Sequence, residues 1–384
     1  MPLADTIAKG PPYKLLALDG GGIRGVMTLE VLCAMQRKLQ AQLGRDDTFV
    51  LADYFDYIAG TSTGAIIATF LSLGWRAEKI LEFYVNAGPA MFTKASFLRR
   101  FRYKFEDDKL AGMLQQQMGA DTLLGSPKLR TLLMLVMRNA STDSPWPLSN
   151  NPHAKYNDVT RPGNKSGNNL ELPLWQLVRA STAAPTYFPP ETIAIGPRKF
   201  IFVDGGVTMY NNPAFQLFLM ATLAPYRLCW PVGQDKMLLV SIGTGSAANA
   251  NADLAAGDLN LLYNAESIPS ALMYAAANEQ DLLCRVFGET RRGAMLDREI
   301  GDLKSPQEPF PIGRLPWPVQ PKLFTYMRYD ADLSRDGLVA LGLPRITPAH
   351  VQQLDSVDHI DGLKAVGRAV AAQQLDLADF AGFV

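Results

Sequence analysis

The chain has 384 residues, 48% of them hydrophobic and 19% charged, which excludes a disordered chain and supplies a core that needs no metal or disulfide staple. Lys+Arg and Asp+Glu both number 37, so the net charge is zero; no long-range field draws in nucleic acid, and no nucleic acid polymer is expected as a partner. Cys33, Cys229 and Cys284 are too few and too scattered for a disulfide framework or a zinc cluster and read as thiols of a reducing, cytoplasmic setting.

The opening MPLADTIAKGPPYK has no apolar signal region, and apolar runs elsewhere fall short of the roughly 18 to 20 residues that span a bilayer. From Tyr13 to Leu18 a short apolar run enters Asp19-Gly20-Gly21-Gly22, which predicts a buried strand feeding a tight turn. Val26, Leu29, Leu32, Cys33, Met35 and Leu39 then recur at helical spacing, and Gly44 supplies a stop. Tyr54 to Ala59 predicts a second strand, ending in Gly60-Thr61-Ser62-Thr63-Gly64 ahead of the apolar helix AIIATFLSLG. Thr131 to Met137 predicts a third strand, and residues 141 to 170, dense in Ser, Pro, Asn and Gly, a long loop. Phe200 to Val203 runs into Asp204-Gly205-Gly206, and Met237 to Ile242 into Gly243-Thr244-Gly245. Four apolar strands ending in glycine-rich turns are the pattern of an open parallel sheet with its functional loops at the carboxyl ends. Beyond 246 the pattern is helical, over Ile268 to Phe287 and Pro348 to Gln373, with the Pro-rich segment 305–321 between. The expected organisation is a catalytic core over 13–245 and a helix-rich C-terminal portion over 246–384 packed on it.

Chemistry concentrates in three of these turns. Gly60-Thr61-Ser62-Thr63-Gly64 satisfies G-x-S-x-G between a strand and a helix, the setting of a nucleophile elbow; the other reading is a structural Gly/Ser turn. Gly60 and Gly64 let the backbone turn sharply and expose the Ser62 hydroxyl, which still needs a base. Histidine is the usual one, but His153 lies in the polar loop and His350 and His359 in a charged C-terminal region. Asp204 is the better candidate, following an apolar strand and preceding two glycines, although a plain Asp-Gly turn reads the same way. As a base it calls for partial burial that raises its pKa from about 3.9. Gly20, Gly21 and Gly22, with Arg24 adding charge, form a turn whose backbone N–H groups suit an oxyanion. Gly20, Gly22 and Gly25 also match G-x-G-x-x-G, with Asp46 or Asp47 as the ribose acid; both precede the second strand rather than end it, and that reading leaves Ser62 and Asp204 unexplained.

Taken in order, DGGGIRG at 19–25, GTSTG at 60–64, RASTAAPTYFPP at 179–190 and DGG at 204–206 resemble the patatin-like phospholipase family. The resemblance implies a three-layer α/β fold with a mostly parallel central sheet flanked by helices. It further implies hydrolysis of lipid acyl esters by a Ser62–Asp204 dyad, an oxyanion loop at Gly20, Gly21, Gly22 and Arg24, and neither metal nor cofactor. The stretch ending at Pro185 is implied to pack beside the site, and a phospholipid or related acyl lipid is the implied substrate. Residues 91–105 interleave aromatics with Lys94, Arg99, Arg100, Arg102 and Lys104 and suit peripheral membrane contact, a lid, or a structural connector. Some bacterial relatives are effectors switched on by cyclic nucleotides, so a gated effector phospholipase is the alternative function, beside a storage or interaction protein.

Overall fold

A computed structural model describes residues 3–92, 103–158, 167–185, 188–246, 261–297, 299–304 and 321–384. Within them nine strands form one sheet: β1 (Tyr13–Leu18), β2 (Tyr57–Thr61), β3 (Leu132–Asn139), β4 (Ser144–Ser149), β5 (Glu191–Ile195), β6 (Arg198–Asp204), β7 (Met237–Ile242), β8 (Glu289–Arg292) and β9 (Thr325–Tyr329). Their spatial order is β5-β6-β3-β2-β1-β7-β9-β8, with β4 also on β3. The run from β3 through β2, β1, β7 and β9 to β8 is parallel, while β4 and β6 are antiparallel to β3.

Alternation along these strands builds three layers. Leu16 and Leu18 of β1, Ile58 of β2 and Leu133 and Leu135 of β3 face one apolar cluster with the helices Gly25–Gln42, Thr63–Ser72 and Ile360–Gln374. Leu15, Ala17, Tyr57, Ala59, Leu132 and Met134 face a second, against the helix Ala214–Thr222. Both faces are covered, so the strands read as continuous apolar runs rather than alternating ones, and each fully buried leucine contributes about 2 kcal/mol.

Three differences from the sequence reading have physical causes. The second strand begins at Tyr57 rather than Tyr54, because Leu51–Asp53 close a short 3-10 turn and Asp56 is held to Lys14 and Lys9. β4 lies inside the expected long loop, where Pro145 and Pro147 had suggested irregular chain; it pairs through one edge with β3, an arrangement that tolerates prolines facing outward. Finally, β8 and β9 come from the segment read as helical and extend the parallel sheet beyond β7. Most of 91–105, and the Pro-rich segment after Lys304, lie outside the described residues, although Met91 and Phe92 are buried. No helix among the described residues is long and apolar enough to cross a membrane.

The feature that positions the site is the shared edge of β3. β4 occupies one edge along Met134–Asn139. The other edge carries β2 as far as Thr61 opposite Val136, then β6, arriving from the opposite direction and ending with Asp204 opposite Met137. Two strands therefore meet head to head at consecutive residues of a third. This corrects the expectation that every functional loop leaves a parallel strand: β6 is reversed, and reversal is what brings its carboxyl end to the carboxyl end of β2.

Candidate active site

Ser62 follows β2 directly, at φ 54° and ψ −122°, and caps the N-terminus of the helix Thr63–Ser72. A non-glycine residue in this region is strained, and strain of this kind persists only where the surroundings dictate it. Here they do. A Cβ on Gly60 would lie 2.1 Å from the Gly64 carbonyl oxygen, and one on Gly64 would lie 2.3 Å from that of Leu18, so the elbow folds back onto itself and onto the end of β1 only with glycine at both places. The Ser62 N–H donates to Ser181 Oγ at 3.0 Å, and Ser181 in turn donates to the Val136 carbonyl.

At the head-to-head junction the Ser62 hydroxyl donates to Asp204 Oδ2 at 2.6 Å, across 142 residues of sequence. Asp204 Oδ1 accepts the Gly206 N–H at 2.6 Å, and the Asp204 N–H is held by the Ala183 carbonyl at 3.0 Å. Burial pushes the Asp204 carboxyl up to about 6, against the pull of the Ser62 and Gly206 hydrogen bonds and of the Arg179 charge. The stretch 179–185 therefore packs against both partners, through Ser181 on one side and Ala183 and Arg179 on the other.

The triglycine turn lies beside them. Gly20 donates its N–H to the Asn211 carbonyl at 3.1 Å and accepts the Thr244 hydroxyl at 2.8 Å; Ile23 donates to the Leu354 carbonyl at 3.0 Å. Among the described residues no protein acceptor takes the N–H of Gly21 or Gly22, which leaves two adjacent donors on a concave turn. Gly22, at φ 59°, could not carry a side chain, because a Cβ there would lie 2.2 Å from the Leu354 oxygen. The Arg24 guanidinium donates to the Gly21 and Gly245 carbonyls and so braces the turn from behind.

Asp19 anchors the same turn through a partner that no local pattern signalled. Arg328 of β9 grips both its carboxylate oxygens, at 2.9 and 2.6 Å, and also donates to Ser241 and Asp330. The guanidinium and the Asp19 carboxylate are nearly inaccessible, and burial pushes Asp19 up to about 6 while Arg328 pulls it down, so the pair is ionic at neutral pH. The Gly243-Thr244-Gly245 turn was visible as a strand end, but its contact with Gly20 was not.

Among the described residues none of the three histidines hydrogen-bonds to Ser62 or Asp204. The His350 and His359 rings stack on each other, 3.9 Å between centroids, and His153 has its backbone N–H on Asn151. Asp46 accepts the backbone N–H and hydroxyl of Thr48, and Asp47 accepts the Gln40 amide, so both acids of the dinucleotide pattern are engaged locally, in the chain ahead of β2. Among the described residues no three His, Cys, Asp or Glu side chains gather as a metal site requires.

The structure thus places a hydroxyl on a buried carboxylate beside a turn of free backbone donors, all at the carboxyl ends of neighbouring strands of an α/β sheet. The sequence profile of the patatin-like phospholipase family matches residues 16–218, more than half of the chain. The chain is 27% identical over 330 residues to patatin-like protein 1 of Arabidopsis thaliana, covering 74% of this chain and 76% of that one. It is also 27% identical to Patatin-17 of Solanum cardiophyllum, over 62% of each chain. A crystal structure of VipD from Legionella pneumophila aligns over 92% of this chain and 67% of its own, at 14% identity and a TM-score of 0.39. The chain belongs to the patatin-like phospholipase family.

Proposed function

We propose that this protein is a lipid acyl hydrolase in which Ser62 is the nucleophile and Asp204 the general base, acting on acyl esters of phospholipids or related membrane lipids. Family membership supports lipid acyl hydrolysis. The observation that carries the finer reading is the Ser62–Asp204 hydrogen bond of 2.6 Å, made to a carboxyl pushed up to about 6. A carboxylate near 3.9 is too weak a base for a serine hydroxyl at neutral pH; raising it improves proton transfer while leaving it mostly ionised.

In this mechanism Asp204 takes the Ser62 proton as Ser62 Oγ bonds to the ester carbon. The carbonyl oxygen, now negative, is received by the N–H groups of Gly21 and Gly22, next to the bracing charge of Arg24. On collapse the alcohol leaves with the proton from Asp204, and the acyl group stays on Ser62 with Asp204 ionised again. Water completes the cycle. The chemistry is assigned to residues 13–245, with 246–384 supporting it through β9 and Arg328.

The test is labelling by a fluorophosphonate probe, alongside fatty-acid release from phosphatidylcholine vesicles. The wild-type protein is expected to label at Ser62 and to release fatty acid, and Ser62→Ala to do neither. Labelling that survives in Ser62→Ala would remove the assignment; release that begins only after a small nucleotide is added would make the protein a gated effector.

A further inference from the structure

The dyad accounts for acylation, but hydrolysis of the acyl-enzyme also requires a water molecule held in line with the acyl carbon. We propose that Asn211 holds it: the side-chain oxygen of Asn211 accepts one hydrogen of the hydrolytic water while Asp204 takes the other, an assignment that rests on the Ser62–Asp204 reading above.

Asn211 is 8% exposed, and its Oδ1 is buried yet accepts no hydrogen bond among the described residues. A buried acceptor without a donor costs stability, so its retention asks for a reason beyond packing. Its position supplies one. The point where a Gly20 Cβ would stand is 2.3 Å from Asn211 Oδ1 and 3.3 Å from Ser62 Cβ. The equivalent point on Gly206 is 3.0 Å from both Asn211 Oδ1 and Asp204 Oδ1. The oxygen therefore lies between the triglycine turn and the base, with the nucleophile alongside. The Asn211 carbonyl fixes it there by accepting the Gly20 N–H at 3.1 Å. Its neighbour shows what a structural asparagine looks like in the same segment: Asn212 Oδ1 accepts the Ala214 N–H at 3.1 Å and the Ser241 hydroxyl at 3.3 Å, and its amide donates to the Ala277 carbonyl.

A water with one O–H on Asp204 and the other on Asn211 Oδ1 turns a lone pair toward the acyl carbon. Asp204 removes the first proton as the water oxygen bonds to that carbon, and the electron pair of the C=O bond moves to the oxyanion held by Gly21 and Gly22. When the intermediate collapses, the bond from carbon to Ser62 Oγ breaks, Ser62 recovers the proton from Asp204, and the fatty acid departs.

The experiment compares wild-type protein with Asn211→Ala and Asn211→Ser on a p-nitrophenyl ester, with stopped-flow kinetics and intact mass. In both variants kcat is expected to fall about tenfold or more while kcat/KM stays within about threefold, so that KM falls with kcat. A burst of p-nitrophenol and an acyl adduct on Ser62 should accompany the change, and the rate of fluorophosphonate labelling should hold, which reports an intact fold and nucleophile. Loss of kcat and kcat/KM together without an adduct would overturn the proposal and place Asn211 in acylation or in structure; unchanged kinetics would overturn it outright. Wild-type protein that neither labels nor acylates at Ser62 would instead remove the dyad reading, and this inference with it.

Discussion

The tripeptide Asp-Gly-Gly occurs at 19–21 and again at 204–206, each time at the end of a strand of the same sheet, with a buried carboxyl pushed up to about 6. The two do opposite things. Asp19 is gripped by Arg328 and serves as a fixed post for the triglycine turn; Asp204 faces a hydroxyl and retains the capacity to take a proton. Burial is common to both, so it does not decide the role. What differs is the partner the fold delivers, a permanent cation in one case and a serine hydroxyl in the other.

The sharpest way to break this contrast is to replace each acid by its amide. Asp204→Asn is expected to lower ester hydrolysis on the order of a thousandfold or more in a steady-state assay, because the amide cannot take the Ser62 proton. It should also melt higher than wild type at neutral pH. The folded carboxyl holds its proton more tightly than the unfolded one, so its contribution to stability is full below about 4 and is lost as pH rises through about 6. The gain in melting temperature should therefore shrink toward pH 4, and a gain independent of pH would argue against a raised Asp204.

Arg328→Met tests the other acid. It leaves the buried Asp19 without its main partner and is expected to cost about 3–5 kcal/mol in urea unfolding, with Asp19→Asn/Arg328→Met recovering part of the loss. Independent, additive effects would mean that the pair is not the post it looks like.

A smaller effect sharpens the comparison in the wild-type background. The profile of kcat/KM should fall about tenfold per pH unit below about 6, as Asp204 gains its proton, and Asp19→Asn protein that still folds should keep that limb. An acid limb only below about 4 would contradict the burial of Asp204. The smallest expected effect is none: His350→Ala and His359→Ala should each leave ester hydrolysis within about twofold, since the two rings contact each other. A folded but inactive histidine variant would restore a triad.

What the sequence made legible was local. The strands before Asp19, Gly60 and Asp204, and the glycines that let their turns close, are written in adjacent residues, and the helix Gly25–Gln42 follows from apolar spacing and its stop at Gly44. What escaped was long-range. Arg328 lies 309 residues from Asp19, in a strand hidden within a stretch that otherwise reads as helix. The reversal of β6 leaves no mark on its composition, because an apolar strand looks the same in either direction. β4 was disguised by Pro145 and Pro147, and Asn211 is told from Asn212 only by which of them lacks a donor.

The abutment of β2 and β6 on β3 means that the gap between Ser62 and Asp204 is measured by a third strand that contributes neither. Val136 and Met137 act as adjacent graduations on a ruler whose spacing is about 3.3 Å. Many surface changes in the chain between Ser62 and Asp204, which lie 142 positions apart, can be absorbed without moving that scale. A single residue inserted between the two graduations cannot: it would part Ser62 from Asp204 by a full step and turn every following β3 side chain to the other layer.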